Sequence, residues 1–279
     1  MKISVIQCNQ KVLYDVNKPG EFNLETCKKL SEEVLEQNFK LIEDAAKEGV
    51  DLIVTMEAIN VSIFPNDLRY NFADSVESID GDLFKRFQKL SKQYGVYIVG
   101  GLYNKRNGKV YNSGILFGPT GNIDGIYDKV HLAGGEKVGL TAGDTYPVFK
   151  TKFGNMGILV CWDMQFPEAA REIVLGGADL IVCPTWGWEN IYGLSRAYEN
   201  DVYIAVAMGI PPSGLIEGIR SPSCIVSGDG NIISSGSRTD AGFVMANVDI
   251  RRRTMELDGQ SQREIRMKDR RPDTYILSK

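Results

Sequence analysis

The stretch from Gly154 to Glu172, GNMGILVCWDMQFPEAARE, constrains the fold more than any other part of this chain. Its apolar run Ile158-Leu159-Val160 fits a buried strand, and Cys161 follows where a short polar turn begins. Pro167 then opens an amphipathic segment with Ala170, Ile173 and Val174 on one side, so the pattern is strand, turn, helix. In α/β folds the ends of such strands face the crevice in which ligands bind. A thiol beside helix-start N–H groups can have its pKa lowered toward the reactive thiolate, which makes Cys161 a candidate nucleophile. An inert role also suits it, because free cysteine is among the most buried residue types.

The remaining pattern is a mixed α/β one. Lys2 to Gln7 reads as a first strand, followed by a polar connection through about Phe22 and a helix from Asn23, with Gly49 placed to end it. Leu52 to Met56 is a buried strand by composition, with Glu57 immediately beyond it. Loop-like sequence runs to about Glu77, then Leu83, Phe87, Leu90 and Tyr94 mark a helical face between Gly81 and Tyr94. Tyr97–Tyr103 and Val110–Phe117, joined at Asn107-Gly108, form a hairpin, so the sheet is mixed. Ile126 to Leu132 alternates with period two and predicts a strand carrying Lys129 and His131 on one face. Ala178–Cys183 and Val202–Ala207 are further strands around a helix over Asn190–Asn200, and a second hairpin and a last strand lie at 223–234 and 243–248. From Arg251 the chain is arginine-rich and aperiodic, which reads as a solvated or partner-covered tail. The pattern shows no repeat or interdomain linker, so residues 1–279 are expected to form one domain.

Composition excludes several functions. The five cysteines, Cys8, Cys27, Cys161, Cys183 and Cys224, are scattered and never in a CxxC pair, which argues against a disulfide framework and a zinc site. With a single histidine, a His-rich metal centre is excluded too. A net charge of −4 argues against nucleic acid, and no apolar run approaches the roughly 20 residues that span a membrane. The first residues lack a signal peptide's apolar region, so a cytoplasmic location is expected and the sequon Asn60-Val61-Ser62 is read as chance.

Glu57, Lys129 and Cys161 thus supply acid, base and nucleophile types at strand ends. Taken singly, Glu57 equally fits a helix cap or solvated loop, and Lys129 a side chain in water. Together with their surroundings they resemble the nitrilase superfamily of carbon–nitrogen hydrolases, which share a Glu–Lys–Cys triad. The likeness rests on LIVTME, YDKVHL followed by Glu136 and TAGD, GILVCWDMQFPEAARE, GADLIVCPTW, RAYEN at Arg196 to Asn200, and RRPDTY. The resemblance implies an α-β-β-α sandwich of two mixed sheets. It also implies a homodimer or larger homo-oligomer with residues 251–279 in subunit contacts, and a supporting carboxylate at Glu136.

The chemistry of the trio follows from its residue types. Amide carbons are poor electrophiles, so hydrolysis needs a nucleophile, an oxyanion stabiliser and a proton donor for the leaving amine. Cys161 is expected to attack, Lys129 and the Trp162 N–H to hold developing negative charge, and Glu57 to relay the proton. No cofactor or metal is required. Trp162, Trp186 and Trp188 are expected as apolar pocket walls, and Glu189 as the acceptor of a substrate amine; core packing is the other reading of Trp186 and Trp188. The resemblance makes His131 a scaffold residue and Arg196–Glu199 an ion pair beside the site. Many relatives carry proline at Met56 and arginine at Gln165, and the latter change argues against a dicarboxylate-monoamide substrate. The expected substrate is a small linear amide or N-carbamoyl compound. A nitrile substrate, acyl transfer, and a non-catalytic binding role remain the alternatives.

Overall fold

A computed structural model of the chain describes residues 1–9, 24–61, 72–211, 215 and 220–276. Most of the polar connection before Phe22, part of the loop before Glu77 and Ser62 of the sequon lie outside the described residues. In chain order the first half gives β1 (Lys2–Gln7), α1 (Leu24–Lys47), β2 (Leu52–Val54), α2 (Asp82–Tyr94), β3 (Tyr97–Arg106), β4 (Lys109–Phe117), β5 (Ile123–Asp128) and a single turn of helix, α3 (Glu136–Gly139). The second half gives β6 (Val148–Thr151), β7 (Gly154–Ile158), α4 (Pro167–Leu175), β8 (Leu180–Thr185), α5 (Asn190–Asn200), β9 (Tyr203–Met208), β10 (Cys224–Val226), β11 (Ile232–Ser235) and β12 (Gly242–Asn247). A two-residue ribbon, β13 (Glu256–Leu257) and β14 (Gln260–Ser261), and α6 (Gln262–Lys268) follow.

Two six-stranded sheets result, in the orders β12-β1-β2-β3-β4-β5 and β6-β7-β8-β9-β10-β11. Read in those orders, both follow one plan: an antiparallel edge strand, three parallel strands, then two antiparallel ones. Side-chain alternation explains the layering. Ile3 and Val5, Leu52 and Val54, and Tyr97 and Val99 join one large core with the second sheet. Their neighbours Ile53, Ile98, Ile115 and Phe117 face the other way, onto Phe39 and Ile42 of α1 and Phe84 and Phe87 of α2. Each such buried side chain contributes about 2 kcal/mol. With Ala170, Ile173 and Val174 of α4 and Ala197 of α5 packed on the second sheet, the layers form the expected α-β-β-α sandwich.

Two expectations change. The strand predicted over Ile126–Leu132 ends at Asp128, and Lys129 is the first residue beyond it. Alternation continued past the strand because Asp163, not a neighbouring strand, takes up the His131 N–H. The segment from Arg251 is also not a featureless tail. Arg253 pairs with Asp179 at 2.8 Å, and Arg263 Nη2 donates to the Val174 carbonyl at the end of α4. These elements dock through guanidinium groups with Met255 and Met267 as apolar contacts beside them, too sparse a pattern for hydrophobic periodicity to reveal.

Candidate active site

Glu57 projects from the end of β2. The Thr55 N–H still pairs with Val99, after which Ala58 turns the backbone sharply at φ +53° and the Ile59 N–H returns to the Gly101 carbonyl. Gly101 of β3 makes room for this turn: a Cβ there would lie 2.4 Å from the Met56 oxygen and 2.7 Å from Glu57 Cα. The Glu57 side chain is buried, and its Oε1 accepts from Lys129 Nζ at 2.8 Å and from Asn112 Nδ2 at 2.7 Å.

Lys129 enters from the end of β5, with its N–H on the Asn112 carbonyl of β4. It is 1% exposed, and its ammonium also meets Glu136 Oε2 at 2.8 Å. Burial alone would lower the lysine pKa, but the nearby charges of Glu57, Cys161 and Glu136 hold it well above its ordinary value. Glu136 opens α3, and its Oε2 takes the Ala133 N–H at 2.7 Å. Burial raises the Glu136 carboxyl above its ordinary value, and the Lys129 charge opposes that rise.

Cys161 comes from the opposite sheet, three residues past β7, at the start of a short 3₁₀ turn over Cys161–Gln165. Its φ of +48° is uncommon for a side-chain-bearing residue and costs backbone strain. Asp163, fully buried, holds the turn closed. Its carboxylate accepts the Val160 N–H at 3.0 Å, the Tyr127 hydroxyl at 2.7 Å and the His131 N–H at 2.9 Å, with His131 Nδ1 at 3.0 Å. One carboxylate therefore fastens the Cys161 turn to the loop carrying Lys129. The His131 ring stacks on Phe166 with centroids 3.8 Å apart, consistent with a scaffold.

The Cys161 thiol departs from expectation. Burial, with the Glu57 charge adding to it, pushes the thiol up to about 12. Lys129, the Thr185 hydroxyl and the Trp186 N–H pull the other way without prevailing. The turn is too short for helix-start N–H groups to dominate. Burial and the Glu57 charge both favour the neutral thiol, and Glu57 and Lys129 lie in Coulombic reach of its sulfur.

The aromatic residues divide. Trp186 is half-buried, gives its indole N–H to the Glu57 carbonyl and packs against the small core around Tyr103, Ala58 and Phe72, so it belongs to this site. Trp188 does not. It is fully buried, bonded to Asn190 Oδ1 at 3.0 Å and edge-on to Tyr192 at 5.4 Å, which corrects its reading as a pocket wall to one of core packing. Trp162 is 44% exposed and leans edge-on against Phe166. Its N–H has no acceptor among the described residues. Glu189, half-buried, precedes α5, and its carboxylate has no partner among the described residues. Arg196 ion-pairs with Glu199 at 3.3 Å and donates to the Gln165 carbonyl, bracing the end of the nucleophile turn. Asn112, Asp163, Tyr127 and Thr185 were not singled out from the sequence. A polar Asn112 within the otherwise buried run of β4 was the one available signal. Among the described residues no cluster of three or more His, Cys, Asp or Glu side chains could hold a metal.

Known proteins place the chain in a family. The carbon-nitrogen hydrolase family model matches residues 2–254. The chain belongs to the carbon-nitrogen hydrolase family. It is 29% identical to an omega-amidase of Xenopus tropicalis over 78% of this chain and 83% of that one. It is 33% identical to an N-carbamoylputrescine amidase of Oryza sativa over 57% of this chain and 55% of that one. Among solved structures, a variant of the Nesterenkonia sp. amidase superposes with a TM-score of 0.75 at 20% identity, covering 98% of this chain and 94% of that one. That amidase carries the acetamide moiety of fluoroacetamide covalently on its active-site cysteine. Membership in this family makes the chain an enzyme, a carbon-nitrogen hydrolase. No described helix is long and apolar enough to cross a membrane.

Proposed function

We infer that this enzyme hydrolyses a small linear amide or N-carbamoyl compound through a thioester on Cys161. The observation that carries the reading is a buried Lys129 bonded to two carboxylates, Glu57 and Glu136, within Coulombic reach of the Cys161 sulfur. A binding protein has no physical need of three ionisable groups buried together. In the first half-reaction the thiol proton passes to Glu57 as sulfur bonds to the acyl carbon, and the Trp162 N–H, without an acceptor among the described residues, and the Lys129 ammonium stabilise the oxyanion. Glu57 returns that proton to the leaving nitrogen as the C–N bond breaks and ammonia departs. In the second, water yields a proton to Glu57 while its oxygen attacks the thioester; the S–C bond breaks and the proton returns to sulfur. Glu136 holds Lys129 charged and in place.

The substrate class rests on the site's remaining groups. Trp186 supplies an apolar wall, and the Glu189 carboxylate, without a partner among the described residues, suits an amine at the far end of the substrate. A panel of matched amides, N-carbamoyl amines and nitriles, assayed for ammonia release, tests the reading. Turnover confined to nitriles would sink it, and unchanged discrimination between aminated and neutral amides in Glu189→Gln would remove the amine. Cys8, Cys161, Cys183 and Cys224 carry free thiols, which supports a cytoplasmic setting. Exposed Leu175, Tyr198 and Tyr275 beside α4 and α5 support a homodimer through that face. Light scattering on the purified protein decides the assembly, with a monomer as the contrary result.

A further inference from the structure

Asn112 lies in the middle of β4 and is fully buried. A polar side chain in such a place costs free energy unless its hydrogen bonds are made. Here one nitrogen makes two: Nδ2 donates to Glu57 Oε1 at 2.7 Å and to Glu136 Oε1 at 2.8 Å. Charge fixes the orientation of the amide. Turned over, its carbonyl oxygen would face two carboxylate oxygens at hydrogen-bond distance, three acceptors without a donor. The backbone oxygen of the same residue takes the Lys129 N–H at 2.9 Å. Asn112 thus touches Glu57, Glu136 and Lys129 while carrying no charge.

Counting donors separates the two carboxylates. Glu136 is bonded at both oxygens, Oε1 by Asn112 and Oε2 by Lys129 and the Ala133 N–H. Glu57 differs. Both of its donors, Asn112 and Lys129, converge on Oε1, and its Oε2 has none among the described residues. On this basis, and resting on the reading of Glu57 as the acid/base, we propose that Asn112 is the positioning residue that makes Glu57, and not Glu136, the proton carrier. The oxygen that takes the Cys161 proton is Glu57 Oε2. Two donors on Oε1 fix the carboxylate plane and leave Oε2 wholly open, whereas three donors on Glu136 engage both of its oxygens. The proton moves from Sγ to Oε2 as the S–C bond forms, and from Oε2 to the leaving nitrogen as the C–N bond breaks. Oε1 keeps both hydrogen bonds throughout. The titratable groups facing Glu57 are Lys129, Glu136, Cys161, Cys183 and the buried Tyr103 hydroxyl.

The test is the pH profile of kcat/KM for Asn112→Ala, with an amide the native enzyme hydrolyses. Removing a donor from both carboxylates favours their protonated forms, so the acidic limb moves up by about one pH unit. Loss of orientation lowers kcat by about 10²-fold and leaves KM little changed. An acidic limb and kcat both native, with only the melting temperature reduced, overturns the proposal. Where the alanine variant does not fold, Asn112→Ser, which keeps one donor hydrogen, is read by the same two criteria. Asn112→Asp, which sets a third carboxylate against the pair, moves the limb further in the same direction. The reading of Glu57 as acid/base fails separately, through native kcat/KM in Glu57→Gln, whatever the Asn112 variants do.

Discussion

The two sheets repeat one pairing plan yet bring opposite kinds of chemistry to the cleft between them. The first contributes charge: Glu57 past β2, Lys129 past β5 and Asn112 within β4, joined by hydrogen bonds of 2.7–2.8 Å. The second contributes a neutral thiol on a strained backbone, with Cys161 past β7 and Thr185 at the end of β8. The difference teaches where activation comes from. A thiol pushed up to about 12 is not a standing thiolate, so under the proposed mechanism its activation comes from the opposite sheet, whose Glu57 carboxylate takes the proton during attack.

Breaking either side separates the two contributions. Cys161→Ala removes the nucleophile and is expected to lower ammonia release by more than about 10⁴-fold, with an unchanged melting temperature. Glu57→Gln leaves the thiol in place but without its proton acceptor, so kcat falls by about 10³-fold in a steady-state assay. Lys129→Met differs in kind. It leaves two buried carboxylates unpaired and destabilises the fold by about 4 kcal/mol, measured by urea unfolding, as well as abolishing activity.

The link between the sheets is testable on its own. Asp163→Asn keeps the shape of the carboxylate but cannot accept all of the donors from Val160, Tyr127 and His131. Loosening the Cys161 turn from the Lys129 loop is expected to reduce kcat by about 10²-fold, with Glu57 and Lys129 untouched. Native kcat would show that the two loops hold their positions independently.

The smallest effect concerns alkaline stability. Burial pushes Cys8, Cys161 and Cys224 each from 9.0 up to about 12. Such thiols stay neutral in the folded chain but ionise from about pH 9 once unfolded, so ionisation favours unfolding. Stability is full below pH 9 and is lost as pH rises toward 12. Melting temperatures between pH 8 and 11 should fall, and less steeply in Cys8→Ala and Cys224→Ala.

How much of this was legible in the sequence depends on what kind of force holds each residue. Glu57 and Cys161 follow buried apolar runs, so composition marked the strand ends they follow, and the family resemblance joined them. Lys129 was found although its strand was drawn too long, because an alternating loop looks the same as a strand until pairing is known. Trp188 was misplaced because a bulky residue after a strand end can turn either into the cleft or into the core, and only its bond to Asn190 and its packing on Tyr192 decide. Asn112 reaches Glu136 and Glu57 across 24 and 55 positions and Asp163 reaches His131 and Tyr127 across 32 and 36, links that no local pattern encodes. The common plan of the two sheets was equally hidden, since pairing order can repeat while the sequence does not.

The central claim is that the neutral Cys161 thiol becomes the acyl carrier through proton transfer to Glu57 across the cleft. Rapid quenching with a slow amide substrate, followed by intact-mass and peptide mapping, tests it most directly. The account predicts a single acyl adduct on Cys161 in the native enzyme and its slow accumulation in Glu57→Gln. An adduct on another residue, or one forming at the native rate without the Glu57 carboxylate, would contradict it.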